Sequence, residues 1–176
     1  ARGVGVSAAT IMHLAWALVL RRATGMESVV FGTLLFGRVD GGVDSDRTMG
    51  VFINTLPIRI DIQAFGIFEL IRKTHFALSE LLRYEHASLA LAQRCSSVPA
   101  SMPLFTSLLN YRHSSGPNSF SDGIDIEGVE GGGRTNYPLA IAIDDLGDDF
   151  GISVQTMPSV GAQRICDFML ATLIGI

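Results

Sequence analysis

Residues 29–36, VVFGTLLF, constrain this chain more than any other stretch. The run is β-branched, aliphatic or aromatic almost throughout and is followed by Gly37. A short apolar run closed by a turn residue reads as a strand buried within a sheet. Such a strand needs other elements to cover it, and the preceding residues supply one. Ile11, Leu14, Ala15, Leu18 and Val19 recur at helical spacing behind Ser7, a good N-cap residue. Arg21 and Arg22 fall in the last turn, where the helix dipole favours cations, and Gly25 ends the element. The pattern predicts a helix over residues 7–23 feeding directly into a buried strand.

The remaining elements extend the same design. Residues 37–48 are loop by composition, and residues 51–60 form a second strand. Pro57 lies inside that strand and brings no N–H, so it belongs at a sheet edge or a bulge. A helix is predicted over 64–83, with Phe68, Ile71, His75, Leu78 and Leu82 on its apolar face. A short helical piece at 86–95 follows, then a strand at 104–111 and a weak strand near 124–129. Residues 136–144 and 150–155 read as a hairpin joined by Asp145-Leu146-Gly147-Asp148-Asp149. A last helix covers 159–173. The order αββααββββα places the chain in the α/β or α+β class with a mixed sheet.

Composition narrows the function. Of 176 residues, 48% are hydrophobic and only 17% charged, against about 25% charged in an average domain. With a net charge of −4 and no basic cluster beyond Arg21-Arg22, the chain lacks the footprint of a nucleic-acid binder. Its longest apolar stretches fall short of the ~20 residues of a membrane span, and no secretory signal is expected, since Ala1-Arg2-Gly3 is not followed by an apolar h-region. Two cysteines, Cys95 and Cys166, give neither a disulfide framework nor zinc spacing, so a reduced cytoplasmic setting is expected. The chain has no initiator Met and is expected to be a piece of a longer protein. Part of its apolar excess would then be a face normally covered by a partner.

General catalytic motifs are missing. Gly128, Gly133, Arg134 and Thr135 approach the phosphate-loop pattern, but a strand follows where that loop needs a helix. There is no GxSxG elbow. Asp40, Asp44 and Asp46 share a loop that lacks the Gly and closing Glu of a calcium site, and no metal site is expected. Four residues after His13, His75, His86 and His113 stand Ala17, Ser79, Ala90 and Pro117. No HxxxD pair therefore brings a carboxylate to orient an imidazole across one helical turn. His13 and His75 are expected to be hydrogen-bonded helix histidines.

Residues 49–59, MGVFINTLPIR, resemble the (V/I)GxFxNTxxxR motif of nonribosomal peptide synthetase condensation domains. Other motifs of that family flank it in chain order: AWALVL at 15–20 and VVFGT through Gly37-Arg38 before it, and YEHASL at 84–89, PLFxxxxNY at 103–111 and NYPL at 136–139 after it. The resemblance implies a fold like chloramphenicol acetyltransferase, with two α/β lobes around a tunnel. It also implies amide formation between substrates carried on the phosphopantetheine arms of upstream and downstream carrier domains, with no cofactor held by the chain itself. The family's HHxxxDG motif ends the first lobe and is absent here. Residues 1–176 would thus be the C-terminal lobe, inactive alone. Its partners would be the first lobe and two carrier domains, with self-association through the exposed lobe face as a further expectation.

The resemblance also points to site residues. Asn110 matches a tunnel-facing asparagine whose amide would bond a substrate carbonyl or the tetrahedral oxyanion. Tyr111 matches its neighbour, and strand alternation would send the two to opposite faces. Asn54 and Thr55 would line the cleft or fix a loop. Gly37 and Arg38 begin the floor loop, with Arg38 and Arg59 holding loops by ion pairing. The crossover to the first lobe would fall in 112–135. The wording is most similar to dual epimerisation/condensation domains. A lobe of an epimerisation domain, or a carrier-docking module without catalysis, is the alternative.

Overall fold

The computed structural model describes residues 2–36, 52–63, 65–113 and 135–176. The floor loop with Gly37 and Arg38, the near-phosphate loop, the weak strand at 124–129 and most of the expected crossover lie outside the described residues.

The first helix, α1 (Ala8–Thr24), is closed at both ends as the sequence predicts. The Thr10 N–H donates to Ser7 Oγ at 3.3 Å. Gly25 takes a left-handed φ of 72° and returns its N–H to the Arg21 carbonyl at 2.8 Å, a conformation for which glycine has no Cβ penalty. Trp16 is fully buried, and its indole N–H finds Ser107 Oγ at 3.2 Å. Strands β1 (Ser28–Phe36) and β2 (Ile53–Asp61) follow. After them come α2 (Ile67–Leu82) and α3 (Leu89–Cys95), which Ser88 caps. The chain continues through β3 (Ser107–His113), β4 (Leu139–Asp145), β5 (Phe150–Thr156) and α4 (Ala162–Gly175).

The five strands form one sheet in the order β2-β1-β3-β4-β5. The inner β1–β3 and β3–β4 pairs are parallel and the two outer pairs antiparallel, so the sheet is mixed. Pro57 sits on the edge strand β2, opposite Gly32, where its missing N–H costs little. Gly147, at φ 90°, turns the β4–β5 hairpin.

Alternation divides each strand between two faces. Val29, Phe31, Ile58, Ile60, Leu109, Ile141 and Ile143 pack with Leu14, Trp16, Ile165 and Met169 into the core beneath the helices. The opposite face carries no described helix. There Phe105 lies against Gly32 so closely that any Cβ at that position would run into its ring, and Phe105 stacks on Tyr137 at 5.5 Å between centroids.

Two predicted features shift. Helix α2 is rotated from its predicted orientation: Leu70, Ile71 and Thr74 are buried, while Phe68 is 64% and Leu82 39% exposed. The helix carries two apolar stripes, and the inner one places the small side chains of Thr74 and Ala77 inward, where they allow close approach to the sheet. Strand β3 starts at Ser107 rather than 104, because Leu104 and Phe105 belong to the approach that covers Gly32.

Candidate functional site

Asn110 lies in mid-β3 with its backbone paired to Ala142. Leu109 and Tyr111 on either side pack toward the helices, so the Asn110 side chain belongs to the opposite, uncovered face. Its Oδ1 is closed from solvent and has no hydrogen-bond partner. Leaving a buried acceptor unmade costs about 1–3 kcal/mol, which a donor reaching this position would recover. An oxyanion would instead require the amide N–H, and the orphaned atom here is the oxygen.

Tyr111 takes the other face, as alternation requires. Its hydroxyl donates to Asp145 Oδ2, and Asp145 also accepts the Gly147 N–H at 3.0 Å and lies 3.2 Å from His113 Nδ1. Burial, then the bond to Asp145, pushes the phenol well above its ordinary range. The Tyr111 and Gly147 hydrogen bonds hold the Asp145 carboxyl below the usual carboxylate range. Tyr111 thus anchors the β4–β5 hairpin on the helix side and does not share a surface with Asn110.

Asn54 and Thr55 also separate. Asn54 Nδ2 donates to the carbonyls of Glu85 and Ala87, both at 2.7 Å, and Asn54 Oδ1 accepts the Thr55 N–H at 2.9 Å. This is the loop-fixing alternative: Asn54 pins the turn after α2 to the edge strand. Thr55 pairs with Leu34 and, by alternation from Leu56, points to the uncovered face. Arg59 pairs with Asp61 at 2.9 Å and donates to Ser28 Oγ at 3.0 Å, tying β2 to β1.

Three features were not anticipated. Arg112 and Asp144 form a two-pronged ion pair, at 2.6 and 2.8 Å, on the uncovered face. Ser153 of β5 pairs with Ala142, and its neighbours Ile152 and Val154 pack toward the core, so Ser153 stands on the same face. Strand alternation from the apolar pair was the available signal for it. Glu85 is 2% exposed, and neither of its carboxylate oxygens has a hydrogen-bond partner.

His13 is a core residue, as expected. Its Nδ1–H donates to the Ala9 carbonyl at 2.7 Å, which leaves Nε2 as acceptor for the Thr33 hydroxyl, also at 2.7 Å. Burial pushes its pKa down to about 4. His75 Nδ1 lies 3.2 Å from Thr10 Oγ1. Among the described residues no three His, Cys, Asp or Glu side chains gather as a metal site, and no helix is long and apolar enough to cross a membrane. Two grooves are lined by residues other than Asn110. One of about 670 Å³ runs between α1 and α4, and one of about 880 Å³ is bordered by Asn136, Tyr137 and Met157.

The comparisons with known proteins agree with this frame. Malpibaldin synthetase of Mortierella alpina is 49% identical over 174 residues, which are 98% of this chain and 3% of that protein. Malpinin synthetase of the same organism is 45% identical over 174 residues, again 98% of this chain and 2% of the relative. The chain therefore spans only a small part of the curated relatives it matches. The solved condensation domain of the monacolin K polyketide synthase superposes with a TM-score of 0.72 at 22% identity, covering 99% of this chain and 41% of that one. That likeness carries the fold, which is the chloramphenicol-acetyltransferase-like fold implied by the motifs. The Condensation domain family matches residues 1–157, and the chain belongs to that family.

Proposed function

We propose that this chain forms the second lobe of a condensation catalyst. Its uncovered sheet face would be one wall of the tunnel in which a carrier-bound amine meets a carrier-bound acyl or peptidyl thioester. The observation that carries the reading is the one-sided sheet: helices cover one face, and the other presents Asn110 with an unpartnered buried oxygen.

In the reaction the amine nitrogen attacks the thioester carbonyl. The new C–N bond forms, the C–S bond breaks, and the sulfur leaves as the free pantetheine thiol after taking up the proton lost by nitrogen. Nothing in this chain supplies the HxxxD base, which belongs to the first lobe. The chain's own part is to line, orient and exclude water. Its partners are the first lobe and the upstream and downstream carrier domains, whose phosphopantetheine arms bring both substrates.

The test pairs two preparations. Amide formation from charged donor and acceptor carriers is measured with the intact two-lobed domain and with the isolated chain. The intact domain is expected to form product and the isolated chain none above buffer; product from the isolated chain would overturn the lobe assignment. With Val30, Phe36 and Ile53 exposed on the uncovered face, the isolated chain is expected to self-associate in light scattering.

A further inference from the structure

Asn110 and Ala142 are direct partners in the β3–β4 ladder, and Ala142 and Ser153 are partners in the β4–β5 ladder. Their side chains therefore stand in one row across the uncovered face, with strands about 4.8 Å apart. The central position offers only a methyl group. On one side of it is the orphaned Oδ1 of Asn110. On the other is Ser153, an exposed residue whose hydroxyl engages no described group.

We propose that Asn110, Ala142 and Ser153 form a slot that holds a secondary amide of the carrier-borne chain. The amide N–H donates to Asn110 Oδ1, and the Ser153 hydroxyl donates to the amide carbonyl. The dimensions match. The N and O of a trans amide are about 2.3 Å apart and point in opposite directions. Adding two hydrogen bonds of about 2.9 Å gives a span of about 8 Å. The Asn110 and Ser153 backbones are separated by two strand spacings, about 9.6 Å, and both side chains can lean inward over the alanine. A bulkier residue at 142 would fill the floor on which the amide plane rests. The slot also explains why the unpaired atom of Asn110 is an acceptor: the group it awaits is an N–H. This inference rests on the reading of the uncovered face as tunnel wall.

A secondary amide reaches this wall from two sources, the pantetheine arm or the upstream peptide. Three donor thioesters separate them in the intact domain: aminoacyl-pantetheine, dipeptidyl propyl thioester, and aminoacyl propyl thioester, which has no amide. Ser153→Ala is expected to raise KM about 5- to 10-fold for an amide-bearing donor relative to the amide-free one, the effect of one hydrogen bond, with kcat nearly held. Ser153→Thr, which keeps the hydroxyl, should restore KM. Asn110→Asp, which keeps an acceptor, should bind the amide donors better than Asn110→Leu. A response confined to the pantetheine thioester assigns the amide to the arm, and one confined to the dipeptide assigns it to the peptide. An unchanged KM, or an equal rise for all three donors, overturns the slot. Failure of the unmutated domain to form any amide would overturn the tunnel reading itself.

Discussion

The imidazole Nε2 of His13 and the hydroxyl of Thr33 meet at 2.7 Å inside the core, joining α1 to the strand that follows it. Burial keeps the ring neutral, with Nδ1–H donating to the Ala9 carbonyl and Nε2 left to accept from the Thr33 hydroxyl. Burial holds the folded pKa near 4, below the 6.5 of the unfolded chain. Above pH 6.5 both states are neutral and no stability depends on this group. Between pH 6.5 and 4 the unfolded chain takes up the proton and the folded chain does not, so stability falls as pH falls and levels off below 4. The loss amounts to about 3 kcal/mol. Denaturant titrations from pH 8 to 4 should show this slope, and His13→Gln should flatten it. An unchanged slope in the variant would remove His13 as its source.

Asn54 is expected to matter for stability ahead of chemistry. Asn54→Ala deletes the donor that satisfies the Glu85 and Ala87 carbonyls, at a cost of about 2 kcal/mol. Thermal melts of the intact domain give the loss directly. If stability holds while amide formation drops, Asn54 acts in the tunnel after all.

Glu85 points the other way. Its carboxylate is buried without a hydrogen bond, and the nearest cationic candidate, His86 Nε2, stands 3.6 Å away on a largely exposed ring. A buried charge without good partners is a liability, and replacing it with an apolar residue of similar shape removes the desolvation cost. Glu85→Met should therefore stabilise the domain by about 1–3 kcal/mol. A lower melting temperature in the variant would show that the carboxylate has a stabilising role.

These residues also show where sequence reading succeeds and stops. The α1 boundaries were legible because Ser7 and Gly25 act locally, through hydrogen bonds within a turn. Pro57 was legible because a missing N–H excludes interior strands wherever the chain goes. The rotation of α2 was not, since Phe68–Leu82 and Leu70–Leu81 are both helical stripes and only the sheet decides which one is buried. Asn110 was singled out through the motif, and its separation from Tyr111 was legible from alternation. Ser153 escaped because alternation gives only its face, and the strand register alone sets it two strands from Asn110.

That separation yields the sharpest prediction. Asn110 and Tyr111 are adjacent in sequence, yet one faces the uncovered surface with an orphaned oxygen and the other is bonded to Asp145 on the helix side. Tyr111→Phe removes the hydroxyl that anchors the β4–β5 hairpin, and should lower stability by about 1 kcal/mol with amide formation per folded molecule retained. Asn110→Ala removes an unsatisfied buried acceptor together with the packing of its side chain, two opposing effects, so it should leave the melting temperature nearly unchanged. It should lower amide formation about tenfold, the effect of one substrate hydrogen bond near the upper end of the usual range. Melting temperature and turnover measured on both variants separate the two roles. If stability and activity fall together in Asn110→Ala, the side chain is structural, and the uncovered face acts without it.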